Sequence, residues 1–195
     1  PLEILREATG VSAYSGDVLI GEAVPAAFEL EVPSPPSFAQ ALAAQAHSPA
    51  LDPHIENVVS EGLGFHPVCF CCGADVPKGV GLRVFAAPVA GFEGVAAAWQ
   101  PDAAFRDDAG VLPTSVVWAA LDCPGQFAYL VDDIRTGLLG RMTAKFLAPV
   151  AGDVFVITGW RIAVEGKKHF AGTALFDSNG RCCAYSKQVW IGRQD

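Results

Sequence analysis

The spacing of apolar and polar residues predicts short extended segments at the start of the chain. Residues 11–13 and 18–20 are mostly apolar and flank residues 14–17, which have the composition of a hairpin turn. Residues 28–32 alternate apolar with acidic side chains, as a half-exposed strand does. We therefore predict a hairpin followed by one further strand in this part of the chain.

A run of prolines then separates these segments from a short helix. Ser37 follows the prolines and has the side chain of a helix N-cap, so we predict a helix from Ser37 to about His47. Residues 48–68 are rich in proline and glycine. This composition predicts an irregular linker, with one turn of helix around residues 55–61.

One long apolar segment dominates the second half of the chain. Residues 114–131 contain a single charged residue, Asp122, and we predict one buried helix over the whole segment. Pro124 should bend this helix, because proline removes a backbone hydrogen bond and clashes with the preceding turn. An unpaired buried carboxylate is costly. Asp122 is therefore either solvated near the bend or held at a site that uses it.

Strand signals lie on both sides of this helix. The candidates before it are residues 81–87 and 94–99, and those after it are residues 141–146, 154–164, 169–176 and 182–191. The last two are joined by Asp-Ser-Asn-Gly, a strong hairpin turn. Two strands, one helix and then an antiparallel meander predict an α+β fold rather than a βαβ alternation.

The composition narrows the class of protein. The chain has 195 residues, of which 51% are hydrophobic and only 17% are charged. A chain with so little charge often buries surface in an oligomer, so we expect a homodimer or homotetramer. The net charge of −8 argues against nucleic acid as a partner. We also predict no membrane-spanning helix, because no sufficiently long uncharged apolar run occurs away from turn signals.

The N-terminus and the cysteine pattern predict the compartment. The sequence starts at Pro1, which suggests a trimmed or renumbered N-terminus. The first ten residues lack the basic and then apolar regions of a signal peptide. The six cysteines lack the spacing of a disulfide framework. These features predict a cytoplasmic protein.

Three of the cysteines are close together in sequence. Cys69 and Cys72 have the spacing of metal ligands, and Cys71 lies between them. A structural zinc site needs four ligands, and only His66 or the pair of adjacent cysteines near the C-terminus would complete one. We expect these thiols to pack a turn against the sheet, and Cys123 to pack in the core rather than act as a nucleophile. We therefore predict no metal and no cofactor.

Three stretches resemble the hotdog-fold thioesterase superfamily. They are CFCCGADVPKGVGLRVF (69–85), VVWAALDCPG (116–125) and LLGRMTAKFLAPVAGDVFVITGWRI (138–162). The first is similar to a Cys-Phe-x-Cys-Gly opening, the second to the central helix, and the third to the strand, turn and strand that follow it. The resemblance to phenylacetate-type and 4-hydroxybenzoyl-CoA thioesterases implies a hotdog domain at residues 65–195, in which an antiparallel sheet wraps around one long helix. Residues 1–64 would then be an N-terminal extension.

The resemblance also implies a site between two subunits, whose strands would form one continuous sheet. In related phenylacetate-type thioesterases the helix begins with His-Gly-Gly, and an aspartate follows nine residues after that histidine. Asp122 matches the aspartate, whereas Pro113, Thr114 and Ser115 stand in place of His-Gly-Gly. The implied oxyanion donors are the amides of Thr114 or Ser115.

Asp122 is the catalytic candidate. Thioester hydrolysis needs a base that activates water or a carboxylate nucleophile, and burial raises the pKa of a carboxyl toward that of a useful base. Trp118 precedes Asp122 by four residues, so both would share one helix face, and Trp118 would limit the size of the acyl group. Arg141, Lys145 and Lys168 are candidates for binding the phosphates of coenzyme A.

The expected function is hydrolysis of an acyl-CoA thioester. The alternative is a hotdog module that binds an acyl-CoA or another apolar ligand without turning it over, and the altered His-Gly-Gly position favours it. A hydratase or dehydratase is less well supported, because those hotdog enzymes usually have a histidine at the helix start.

Overall fold

The chain forms eleven strands and three α-helices within residues 1–55 and 66–192, which are the residues that the computed structural model describes. The strands are β1 Leu2–Glu7, β2 Gly10–Ser15, β3 Val18–Ala23, β4 Ala87–Pro88, β5 Val95–Trp99, β6 Val111–Leu112, β7 Leu138–Phe146, β8 Val150–Ala151, β9 Phe155–Glu165, β10 Lys168–Phe176 and β11 Cys182–Ile191. The helices are α1 Phe38–Ala44, α2 Thr114–Ala120 and α3 Cys123–Leu130.

The main sheet is antiparallel and has six strands in the order β4-β5-β9-β10-β11-β7. Strands β9, β10 and β11 pair in chain order as the predicted meander, whereas β7 pairs with β11 at the edge of the sheet instead of with β9. The predicted α+β class is confirmed. Helix α3 packs on one face of this sheet. The main core includes Leu121 and Phe127 from the helical segment together with Ile157 and Leu175 from the sheet, all of them fully buried.

The predicted single helix over residues 114–131 is wrong, because the segment breaks at Leu121 and Asp122 into α2 and α3. Pro124 has no N–H group, so the carbonyl of Ala120 lacks its usual helical donor. The thiol of Cys71 donates a long hydrogen bond to this carbonyl at 3.9 Å. The bend that Pro124 predicts is thus present, but as a full interruption of the helix.

The side-chain amide of Gln188 stabilises the break. Its Nε2 donates to the carbonyl oxygens of Leu121 (2.7 Å) and Asp122 (3.1 Å), while its Oε1 accepts a hydrogen bond from Trp190 Nε1 (2.7 Å). Gln188 is fully buried. Because side chains alternate along a strand, Gln188 faces the helices and Lys187 faces the opposite side of the sheet.

The N-terminal residues form a separate three-stranded meander, β1-β2-β3, which contains the predicted hairpin. The predicted strand at 28–32 is wrong, since these residues form no sheet pairing. Their apolar side chains, Phe28, Leu30 and Val32, pack instead against the outer face of the main sheet beside Tyr185. The alternation therefore identifies the side chains that are covered. The backbone of residues 28–32 pairs with no strand in the part of the chain that the structure describes.

Helix α1 begins where the sequence predicts. Ser37 is its N-cap and forms a reciprocal capping box with Gln40. The helix buries Ala41 against Val89 and Ala96 of the sheet region. The predicted turn of helix around residues 55–61 lies outside the described residues, apart from Ile55.

The predicted strand at residues 81–87 is mostly wrong, because only Ala87–Pro88 pairs with β5. The rest of this segment bonds to the cysteine-containing loop. Leu82 N donates to Phe70 O (2.8 Å), and Val84 N donates to Cys71 O (2.9 Å). These bonds hold the loop against the core. Among the described residues, no helix is both long and apolar enough to cross a membrane.

Candidate functional site

Asp122 lies at the break between α2 and α3, as the residue preceding α3. Its Oδ1 atom is buried, and no hydrogen-bond partner for it is found among the described residues. Burial, and then the negative charge of Cys69, raises the pKa of the Asp122 carboxyl to about 6. The carboxyl is therefore poorly solvated and available for an exogenous partner.

Three thiols converge beside Asp122. The sulfur atoms of Cys69, Cys72 and Cys123 all lie within 4.8 Å of one another, and Cys69 Sγ is 3.7 Å from Cys123 Sγ. Hydrogen bonds from Cys123 and Cys72 lower the pKa of the Cys69 thiol to about 2. The same contacts, with burial, raise the pKa of Cys123. The cluster thus favours one thiolate, at Cys69, held by its neighbours.

The helix start is distant from Asp122 within one chain. Thr114 and Ser115 are exposed in the first turn of α2, and Pro113 is the N-cap residue. Helix α2 rises about 9 Å from Thr114 to Ala120, and Asp122 lies beyond the end of this helix. The structure therefore does not bring these amides to the Asp122 carboxylate of the same chain.

Trp118 lies on the outer side of α2 and is 39% exposed. Its ring packs against Phe146 of β7, with 6.1 Å between the ring centroids. The expectation that Trp118 and Asp122 share a helix face depended on an unbroken helix, and the break at Leu121 removes that ground. Trp118 therefore lies beside the edge strand β7.

The three candidate cations lie on the far face of the sheet from Asp122. Arg141 pairs with Val189, Lys145 with Tyr185, and Lys168 with Ile191. These three residues of β11 alternate with the inward-facing Gln188 and therefore point away from the helices. Lys145 forms an ion pair with Glu29 and lies near the ring of Tyr185, whereas Arg141 and Lys168 are exposed.

Two features of the site escape sequence reasoning. The first is the part played by Cys123, which is 54 residues from Cys69 in the chain. The second is Gln188, the polar residue that holds the break in place. The sequence signal that could have identified Gln188 is the alternation of residues along β11. This alternation places its polar side chain on the face of the strand that points toward the helices.

Solved structures that resemble this chain include members of the thioesterase superfamily. One superfamily member matches with a TM-score of 0.53 and 14% identity over 57% of this chain, and a second with 0.52 and 13% over 57%. Thioesterase HI1161 from Haemophilus influenzae matches with 0.50 and 17% over 56% of this chain and 78% of its own. The match spans 55% of the first protein's length and 86% of the second's.

Comparisons at the level of sequence give no further assignment. No protein-family model matches the sequence, and no curated protein matches it. At 13–17% identity the structural similarity establishes the fold and does not establish an activity. The chain therefore has the same fold as these solved structures, the hotdog fold.

Proposed function

We propose that the protein hydrolyses an acyl-CoA thioester, with Asp122 as the general base or the nucleophile. The observation that carries the proposal is the buried Oδ1 atom of Asp122 at the helix break, which has no hydrogen-bond partner within residues 1–55 and 66–192. A carboxylate that has lost its water is a stronger base and nucleophile than a solvated one, because its negative charge is poorly stabilised. Either role requires a carboxylate with a free oxygen facing the reacting carbon.

The second requirement is a donor for the negative charge that develops on the thioester oxygen. We propose the amides of Thr114 or Ser115 for this role. These amides lie at the start of α2, which rises about 9 Å before it ends at Ala120, and Asp122 lies beyond that end. The donor and the carboxylate that act on one thioester would therefore come from two copies. This separation supports a site at an inter-subunit cleft.

A homodimer, alone or as half of a homotetramer, would provide such a cleft. Strand β7 forms one edge of the main sheet, with β11 on its only paired side among the described residues. Apolar side chains near this edge are exposed, namely Leu138, Phe146, Leu147 and Trp118. Pairing of two β7 edges would extend the sheet across both copies and cover these side chains.

The coenzyme A part of the substrate needs cations for its phosphates. We propose Arg141 and Lys168 as exposed candidates, with Lys145 as a third that must first leave Glu29. These residues face away from Asp122. The coenzyme A part of the substrate would therefore have to pass around the edge strand β7, on which Arg141 and Lys145 lie. The free thiols of the chain suit the reducing cytoplasm in which acyl-CoA occurs, and we propose that location.

A second candidate function is binding of acyl-CoA or another apolar ligand without turnover. It is favoured by the residues at the start of α2, where Pro113 provides neither a side-chain donor nor a backbone N–H. Both functions require binding, and only the first requires the carboxylate.

The experiment is a panel of acyl-CoA substrates offered to the wild-type protein, Asp122→Asn and Asp133→Asn. Free coenzyme A is quantified by chromatography, because thiol reagents would also react with the cysteines of the protein. Asp133 is a matched control, since it is exposed and has a φ of 58°, which asparagine also accepts. Turnover by the wild type and by Asp133→Asn, lost in Asp122→Asn with binding retained, supports hydrolysis. Binding without turnover by any of the three proteins supports the second function.

A further inference from the structure

We propose that Cys69, Cys72 and Cys123 bind a zinc ion through their three sulfur atoms. Two of these residues lie on the loop that precedes the main sheet, and the third is the first residue of α3. The site is independent of the proposed hydrolysis, which uses none of these thiols. It replaces the expectation that the cysteines only pack a turn against the sheet.

The distances between the sulfur atoms fit a tetrahedral zinc site. A zinc–sulfur bond is about 2.3 Å, so two thiolates on one tetrahedral ion lie about 3.8 Å apart. Cys69 Sγ and Cys123 Sγ are 3.7 Å apart, and Cys72 Sγ completes a triangle with all separations within 4.8 Å. The sulfur atoms of a disulfide would be about 2.0 Å apart. The triangle therefore has room for an ion at its centre with little movement.

The loop that carries Cys69 and Cys72 has a compact, fixed geometry. Gly73 closes the turn by donating from its N–H to Cys69 O at 2.8 Å. A Cβ atom at position 73 would lie 2.5 Å from the carbonyl oxygens of both Cys69 and Pro67, so only glycine fits there. Thiols that merely fill a core do not need to converge on a common centre, as these three do.

The charges at this place also favour a cation. Cys72 and Cys123 are buried, and the Asp122 carboxyl next to Cys123 is partly desolvated. A divalent ion on three thiolates reduces their total charge from −3 to −1, which offsets most of the cost of burying them. A fourth thiolate would restore a charge of −2 beside Asp122. We therefore assign the fourth position to a neutral donor, such as water.

The three soft sulfur ligands favour zinc over magnesium or calcium, which prefer oxygen. Such an ion would join two parts of the chain that are far apart in sequence. It would tie the first residue of α3 to the loop at residues 69–73. Metal binding would therefore add to the stability of the fold, because the unfolded chain does not hold the three thiols together.

The test is the metal content of the full chain, purified without chelator and under reducing conditions. We expect one equivalent of zinc by elemental analysis in the wild type. Loss of the metal is expected in Cys69→Ser and in Cys123→Ser. The matched control is Cys182→Ser, because the thiol of Cys182 bonds to Ala184 O on β11, away from the cluster, and this variant should keep one equivalent. Wild-type protein without metal, or with metal that all three variants retain, overturns the proposal.

A second measurement covers the case in which the cluster variants do not fold. Wild-type protein is stripped of metal with a chelator and titrated with Co²⁺. Thiolate ligation of cobalt gives an intense charge-transfer absorption, which we expect to saturate at one equivalent and to disappear when zinc is added. Absence of this absorption in folded protein, or formation of a disulfide among these three cysteines in its place, contradicts the proposal.

Discussion

Gly125 lies directly against the side-chain amide of Gln188, so that a Cβ atom at position 125 would lie 1.8 Å from Gln188 Oε1. Gln188 has no freedom to withdraw without loss, because the same side chain bonds to the carbonyls of Leu121 and Asp122 and to the indole of Trp190. The first turn of α3 and the middle of β11 are thus fitted to each other around the break at which Asp122 lies.

Gly125→Ala should destabilise the protein. Alanine is the better helix residue by about 1 kcal/mol, so helix propensity alone predicts a gain. Overpacking a filled site costs about 1–3 kcal/mol, and displacing Gln188 adds the loss of its hydrogen bonds, each about 1 kcal/mol. We expect a net decrease of about 2 kcal/mol in the free energy of unfolding, measured by chemical denaturation.

Gly21→Ala is the control for this change, because no atom lies within 4 Å of the Cβ position there. It should alter the free energy of unfolding by less than about 0.5 kcal/mol. The double variant Gly125→Ala with Gln188→Ala should be less destabilised than the sum of the single variants, since the clash is removed. An increase in stability for Gly125→Ala would show that Gln188 does not pack as described.

Leu138→Glu should weaken the proposed dimer. Leu138 is 67% exposed at the start of the edge strand β7, and a charge there would be buried without a partner when two edges pair. Val164→Glu is the matched control, because Val164 is 56% exposed at the tip of the hairpin between β9 and β10. In sedimentation velocity, Leu138→Glu should be monomeric at concentrations at which the wild type and Val164→Glu are dimeric. A wild type that is monomeric at high concentration refutes the inter-subunit site.

Trp118→Ala should change which acyl groups are accepted. The indole ring lies beside β7 against Phe146, at the edge where the proposed cleft would form. Its removal creates room for larger acyl groups, so the ratio of kcat/KM for a bulky to a small acyl-CoA should increase about tenfold. Trp118→Phe keeps most of the ring and should give a smaller increase. Equal losses for all substrates would instead indicate a structural role.

The sequence predicts the bounds of the strands after the helices well, because their turns carry strong local signals such as residues 177–180. It predicts a bend at Pro124 for a local reason, the missing N–H group. It does not predict that the helix stops there, since the groups that satisfy the freed carbonyls, Cys71 and Gln188, come from distant parts of the chain. Residues 28–32 show the same limit, because alternation identifies a covered face but not a pairing partner.

At the candidate site, too, features with a local sequence signal are predictable, and contacts between distant parts of the chain are not. Asp122 is identifiable from the sequence as a lone carboxylate in an apolar segment, and the structure shows that its Oδ1 atom is buried. Its role at a site stays a prediction. The convergence of Cys123 with Cys69 and Cys72 depends on the fold, because local spacing relates only the last two. The boundary between an extension and a hotdog domain at residues 64 and 65 stays a prediction. So do the roles of Thr114, Ser115 and the three cations.

The most direct test of the account is the turnover number of Asp122→Asn beside those of the wild type and Asp133→Asn, on one acyl-CoA that the wild type hydrolyses. Loss of a base or nucleophile should lower kcat by about 10²–10⁴-fold, because asparagine keeps the shape and removes the charge, while Asp133→Asn should match the wild type. A kcat for Asp122→Asn equal to that of the wild type would contradict the central claim that this buried carboxylate performs the chemistry.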